Sequence, residues 1–182
     1  MVAGFTGSPF FERLANARRV RAELPFAFTL DTKGGSLLVD GVVDVQAEEG
    51  DRLLVVDYKS DRLEGREPSV VVAASYSTQR LVYALATLRS GAPRAEVVYV
   101  FLERPDEPVA ATFGASELPQ LETQLLGVAE GVLAGRFEPS RAPHRGLCAG
   151  CPGQASLCVW GPERTQAEEP PPVGVVLGVN AG

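Results

Sequence analysis

Asp44 and Asp57 each interrupt an apolar run, in GVVDV (41–45) and LLVVDYKSD (53–61), and Lys59 follows two positions after the second. A carboxylate set among valines must offset its lost hydration, so it needs a cation or a ligand nearby. On a strand the side chains alternate faces, which sends Asp57 and Lys59 to one side and Val56 and Tyr58 to the other. The turn AEEGD (47–51) folds Asp44 back toward Asp57. Such a cluster suits phosphodiester hydrolysis with Mg²⁺ or Mn²⁺. Asp44 and Asp57 would hold one or two ions through hard oxygen ligands, with the Tyr58 carbonyl as a further donor. The ion would polarise a phosphate and acidify an attacking water. Lys59 would orient that water or stabilise charge on the phosphorane. The bland alternative is a buried Asp57–Lys59 ion pair beside a solvated Asp44, and spacing alone leaves both open.

A second constellation lies late in the chain. HRGLCAGCPGQASLC (144–158) holds all three cysteines, Cys148, Cys151 and Cys158, and the single histidine, His144. Cys–x₂–Cys places two thiolates on one turn at a spacing suited to one metal ion. Thiolates suit zinc or iron–sulfur chemistry and not Mg²⁺, so the two constellations should not exchange metals. The alternative is three reduced surface thiols, reactive and costly to keep. Three cysteines cannot complete a disulfide framework. Trp160 is expected to pack against this loop.

The elements that must position these residues follow from pattern. Ser8-Pro9 opens a short helix, as N-cap and first helical residue, expected to run to about Ala22. Three strand-like runs follow, Glu23 to Leu30, Ser36 to Gln46 and Arg52 to Ser60, joined by short Gly-containing turns that favour an antiparallel meander. Residues 69–88 hold neither Gly nor Pro and predict one helix, whose β-branched residues need burial on the sheet for stability. Ala95 to Glu103 is apolar enough for an interior strand. Val109 to Phe113 suggests an edge strand. A last helix follows, with Leu118, Leu121, Leu125, Ala129 and Val132 at helical spacing, ending near Gly135. The order is helix, three strands, helix, strand, helix: an α+β fold with a mixed sheet and a crossover. The expected organisation is a core at 8–140, a cysteine loop at 141–160 and a Pro/Gly-rich, disordered tail at 161–182.

G-V-V-D, V-V-D-Y-K-S and Y-S-T-Q-R-L-V-Y-A-L together resemble the nuclease domain of RecB-type exonucleases. These belong to the PD-(D/E)XK superfamily and are often fused to UvrD-like helicases. The resemblance covers roughly Arg19 to Trp160. It implies a restriction-endonuclease-like αβββαβ core, the element order read above, with Asp44, Asp57 and Lys59 as metal and catalytic residues. It further implies roles for Gln79 and Tyr83, the family's Gln–x₃–Tyr pair, in positioning DNA or a metal-bound water. Glu23 matches an acidic residue of the family's first core strand, a metal ligand or, on the plainer view, a solvated charge. Part of this family, including AddB-type nucleases, carries a C-terminal Cys–x₂–Cys–x₅₋₆–Cys run that joins an upstream Cys around a 4Fe–4S cluster. The run here is similar, but the sequence has no upstream Cys. The options are a fourth ligand lost with a missing N-terminal segment, His144 as fourth ligand of the cluster, or Zn²⁺ held by three Cys and one His. The family's upstream metal-binding His also has no counterpart, which suggests an excised domain or a shortened relative.

The formal charge of −6 argues against a simple basic DNA-coating protein. Arg13, Arg18, Arg19 and Arg21 against Glu12 nonetheless make the first segment basic, and these arginines are the candidate phosphate contacts. No GxxxxGK[ST] loop occurs, so an ATP-driven motor must lie elsewhere. No apolar run is long enough to span a membrane, and the start lacks the basic and apolar regions of a secretory signal. The expectation is a cytoplasmic, Mg²⁺-dependent DNA exonuclease domain serving recombination and break repair beside a RecB/UvrD-like helicase. The rival is a catalytically silent DNA-binding or scaffolding module of such a complex.

Overall fold

In the computed structural model, residues 6–168 are described. They form two compact units, one reaching to Glu130 and the other starting at Gly131. Ser8 caps α1 (Pro9–Ala15), its Oγ accepting from the Phe11 N–H at 3.2 Å. A five-stranded sheet follows in chain order: β1 (Val20–Thr32), β2 (Gly35–Glu49), β3 (Arg52–Lys59), β4 (Arg94–Phe101) and β5 (Val109–Gly114). Among the described residues only β3 and β4 run parallel, and α2 (Pro68–Ser75) and α3 (Ser77–Arg89) lie in their crossover. A short 3₁₀ turn (Ala115–Glu117) leads into α4 (Leu118–Leu133). In the second unit α5 (Arg145–Cys148) and α6 (Pro162–Thr165) are each a single turn.

The strand order meets the α+β, mixed-sheet expectation, with several boundaries moved. The first helix stops at Ala15, not Ala22, because the Arg18 N–H donates to Glu48 O and the Glu48 N–H to Arg19 O, drawing this segment into the sheet. The β1–β2 ladder then runs from Val20↔Ala47 to Thr32↔Gly35, longer than the apolar pattern alone suggested. Two-residue turns close both hairpins. At the second, Gly50 leads with φ 63°, a conformation that the primed turn requires and that glycine adopts without strain. The single helix expected over 69–88 is two, broken at Tyr76 (φ −121°, ψ 9°). Part of the expected disordered tail is helical (α6), and residues 169–182 lie outside the described residues.

The sheet has two apolar faces. Toward α2, α3 and α4 lie Val55, Val97, Tyr99 and Phe101 with Leu85, Leu88, Leu121 and Leu125. Toward α1 lie Ala47, Leu54, Val56, Val98 and Val100 with Phe10 and Leu14. Burying each such side chain contributes about 1.5–3 kcal/mol, so β4, buried from Ala95 to Phe101, anchors both layers.

β2 changes layers along its length. Leu37, Val39 and Val43 pack with the α3-side core, whereas Val45 and Ala47, of the same parity, pack with the α1-side core. The change falls at the interruption of the β1–β2 ladder between the pairs Ala22↔Val45 and Leu24↔Val43, where Glu23 and Asp44 are not paired. There Glu23 adopts φ 50°, a strained left-handed conformation for a non-glycine residue. Among the described residues, no helix is long and apolar enough to cross a membrane.

Candidate active site

The β2–β3 ladder ends at Val45↔Val56, one step before Asp44 would face Asp57. In place of the next backbone bond, Asp44 Oδ2 accepts from the Tyr58 N–H at 2.9 Å. The two carboxylates thus stand where the strands part. Asp57, 2% exposed, lies beneath α3. Its Oδ2 accepts from Gln79 Nε2 at 2.9 Å and from the Tyr83 hydroxyl at 3.0 Å. Gln79 and Tyr83 occupy i and i+4 on one face of α3 and are joined by a further bond from Gln79 Nε2 to Tyr83 Oη at 2.9 Å. The Tyr83 hydroxyl also lies 3.2 Å from Val42 O, tying α3 to β2 beyond the parted ladder.

Lys59 points to the same side as Asp57, as strand alternation requires. Its Nζ lies 2.6 Å from Asp57 Oδ1 and donates to Gln79 Oε1 at 3.0 Å. The first contact has charge complementarity without hydrogen-bond alignment, because Asp57 Oδ1 is buried and has no properly oriented donor. Burial, then the negative charge and hydrogen bond of Asp57, and then Asp44, push the Tyr83 hydroxyl far above its usual range and keep it a neutral donor. Burial and the nearby Asp44 charge also raise the Tyr58 hydroxyl.

The remaining candidates are placed less tightly. Glu23 lies at the gap in the β1–β2 ladder between Ala22↔Val45 and Leu24↔Val43, with an exposed side chain. Tyr58 enters the site through its N–H, while its ring packs with the α1-side core. Arg18, Arg19 and Arg21 are exposed along the start of β1, and Arg19 approaches Glu48 at 3.7 Å. Arg13 is engaged within the fold: its guanidinium is bonded to Glu49 (2.8 and 2.5 Å) and Glu96 (2.9 and 2.7 Å) on the α1 side of the sheet.

In the second unit, the Cys151 N–H donates to Cys148 O, closing the Cys–x₂–Cys turn. Cys151 and Cys158 are exposed, and all three cysteines are free thiols. The Trp160 N–H reaches Cys158 Sγ at 3.4 Å, its indole N–H donates to Ser140 O at 2.8 Å, and Arg164 lies over its ring at 4.3 Å. Nδ1 of His144 is buried without a partner. Among the described residues, no group of three or more His, Cys, Asp or Glu side chains is disposed to share a metal ion. The cysteines and His144 are therefore not gathered around one point.

Sequence reasoning passed over three residues at the site. Tyr76 places its ring under the Lys59 ammonium at 4.0 Å, Tyr99 lies 5.6 Å from the same ammonium, and Asp61 accepts from the Tyr76 hydroxyl at 2.8 Å. The available signal was the spacing Tyr76–x₂–Gln79–x₃–Tyr83, which puts three polar-tipped residues on one line toward β3.

Residues 6–158 match the PD-(D/E)XK nuclease superfamily. A stretch of 105 residues is 32% identical to a subunit of the ATP-dependent helicase/nuclease of Bacillus mycoides (strain KBAB4), covering 49% of this chain and 8% of that protein. The protein of the same name from Anoxybacillus flavithermus (strain DSM 21510 / WK1) is 29% identical over 83 residues, covering 45% of this chain and 7% of the relative. The chain thus matches less than a tenth of the length of these relatives. The crystal structure of SSO0001 gives a TM-score of 0.47 at 15% identity, covering 82% of this chain and 64% of that one, too loose a likeness to carry an argument. With the match running through both candidate carboxylates, the lysine and the Gln–x₃–Tyr pair, the chain belongs to the PD-(D/E)XK nuclease superfamily.

Proposed function

We propose that this domain hydrolyses DNA phosphodiester bonds with Mg²⁺ or Mn²⁺, acting as an exonuclease beside a helicase in recombination and double-strand break repair. The observation that carries the reading is the Asp57 carboxylate. It is buried, with one oxygen fixed by Gln79 and Tyr83 and the other facing the Lys59 ammonium at 2.6 Å. A carboxylate held that way, with a second from Asp44 across the parted ladder, is the hard-oxygen donor set a divalent cation takes. Asp44 and Asp57 would hold the ion, with Glu23 and the Tyr58 carbonyl as further donors. When bound, it would supply charge stabilisation at the phosphate and a more acidic water. Gln79 and Tyr83 orient Asp57. Lys59 brings a cation to within 2.6 Å of Asp57, where it can stabilise charge on the phosphate or direct the nucleophile. Arg18, Arg19 and Arg21 would contact the phosphate backbone. The helicase partner rests on the names of the relatives.

The test is a Mg²⁺ and Mn²⁺ titration with linear single- and double-stranded DNA. Cleavage in the wild type, lost in Asp57→Ala and Lys59→Ala with the fold retained, is the expected result. A wild type that binds DNA equally well and leaves it intact at every ion concentration would establish the rival, a silent scaffolding module. That rival draws on one observation: Glu23, exposed and strained, does not complete a three-carboxylate group with Asp44 and Asp57.

For the cysteine loop we propose a structural zinc or iron–sulfur site using Cys148, Cys151, Cys158 and His144. The closed Cys–x₂–Cys turn and the unpartnered His144 Nδ1 support it, and the ungathered thiols weigh against it. Metal analysis of anaerobically purified protein decides between zinc, iron and neither.

A further inference from the structure

The break between α2 and α3 falls on Tyr76 and has a chemical consequence. At the break the Tyr76 ring lies against the sheet, stacked on Tyr99 at 5.6 Å and tilted against Phe101 at 6.4 Å. The backbone is held there too, since the Tyr99 hydroxyl donates to Tyr76 O at 3.3 Å. The ring face so presented lies 4.0 Å from Lys59 Nζ, within the range of a cation–π contact. The Tyr76 hydroxyl in turn donates to Asp61 Oδ2 at 2.8 Å, two residues beyond Lys59 on the chain leaving β3. Lysine carries a flexible four-carbon stem and loses rotamer freedom when pinned. An ammonium serving one phosphate position needs a wall that limits its sweep without neutralising its charge. Asp57 already faces the ammonium at 2.6 Å, and the Tyr76 face bounds it on a further side without adding a second negative charge.

We propose that Tyr76 is a positioning residue for Lys59: its ring holds the ammonium beside Asp57, and its hydroxyl, moored to Asp61, fixes the ring. The assignment rests on reading Lys59 as part of a phosphodiester-cleaving site. It adds Asp61 as the mooring point and gives the Tyr76–x₂–Gln79–x₃–Tyr83 series one function, since each member touches Lys59 or Asp57.

The experiment compares Tyr76→Leu and Tyr76→Phe in the full chain. Tyr76→Leu removes the aromatic face and is expected to lower kcat about 30-fold, the rate equivalent of a desolvated cation–π contact, with KM for DNA nearly unchanged. Tyr76→Phe keeps the face and should restore kcat to within about threefold of wild type, the decrease expected for one exposed hydrogen bond. In a Lys59→Ala background, Tyr76→Leu should cost nothing further. A wild-type kcat in Tyr76→Leu, or effects that multiply with Lys59→Ala, would overturn the assignment. Should Tyr76→Leu not fold, fluorinated phenylalanines at position 76 preserve the shape while draining the ring's negative face, and kcat must fall with each fluorine; a flat series overturns the assignment. A readout independent of cleavage is the ring-current shift of the Lys59 ε-methylene protons, expected in wild type and Tyr76→Phe and absent from Tyr76→Leu. If wild type leaves DNA intact, the hydrolytic reading fails by itself, and an unshifted Lys59 resonance in wild type would then sink the Tyr76 assignment as well.

Discussion

The sheet carries a charge cluster on each face, and the two are built on opposite principles. On the α1 side, Arg13 and Arg52 meet Glu49 and Glu96, two cations against two anions, with bonds of 3.0 Å or less tying α1 to β2, β3 and β4. Every charge there is answered by an opposite one. On the α3 side, Asp44 and Asp57 outnumber Lys59, and the deficit is met by neutral donors, an amide and a phenol. A closed, balanced network braces a fold. An anionic excess held by neutral groups keeps capacity for a cation from outside, and that imbalance separates the candidate site from its structural mirror.

The comparison can be broken at several points. The largest expected effect is on chemistry: Asp57→Ala or Lys59→Ala should lower kcat on the order of 10²–10⁴-fold while circular dichroism and urea unfolding report a retained fold. Arg13→Ala should do the reverse. Stripping two carboxylates of their shared guanidinium should cost about 2–3 kcal/mol, discounted from the figure for a fully buried pair because Arg13 is 29% exposed. The urea midpoint should fall with kcat unchanged. Equal damage to activity and stability in that variant would dissolve the distinction between the faces. Tyr83→Phe removes one of the two donors on Asp57 Oδ2 and should lower kcat about tenfold, read in single-turnover cleavage.

The fourth expectation concerns pH. Hydrogen bonds from Arg13 hold the Glu49 carboxyl below its ordinary 4.5. A carboxyl lowered in the folded state contributes stability above its ordinary value, and the contribution is lost as pH falls through the lower folded value. Wild type and Arg13→Ala should therefore differ in urea midpoint above about pH 4.5 and converge in acid. At the alkaline end, burial and then Asp61 push the Tyr76 hydroxyl up to about 12. Its contribution is present below the usual phenol range near 10 and is lost as pH rises through that higher value, an alkaline limb that Tyr76→Phe should lack. The smallest effect is electrostatic. Replacing Arg18, Arg19 and Arg21 with alanine should flatten the salt dependence of DNA binding by up to about 0.9 for each phosphate these arginines neutralise, measured by fluorescence anisotropy across a salt series.

Much of this arrangement was legible in the sequence. The turn at Gly50, the alternation around Asp57 and the Gln79–Tyr83 spacing are local, and each rests on a period of two or 3.6 residues that side chains obey before any tertiary contact forms. What escaped depends on distant partners. Arg13 looks like any other exposed arginine until Glu49 and Glu96 arrive from strands far along the chain. The first helix ends short of its pattern for the same reason, since Glu48 captures Arg18 and Arg19. The break at Tyr76 has no Gly or Pro to announce it; stacking on Tyr99 and the mooring at Asp61 override the helical preference of the segment. The cysteine spacing was equally visible, but spacing fixes only the turn, and the turn alone does not bring four side chains together.

The parallel joining of β3 to β4 also sets a timetable. The three-stranded meander from Val20 to Lys59 closes through two-residue turns, so Asp44 and Asp57 can become neighbours early, at little cost in loop-closure entropy. Gln79 and Tyr83 arrive only when residues 60–93 have been threaded across and β4 has docked alongside β3. During synthesis the acidic pair therefore leaves the ribosome well before the groups that discipline it. For that interval Lys59 and the Tyr58 N–H are the partners the acidic pair has at hand, and the docking of one central strand brings the amide and phenol that complete the site.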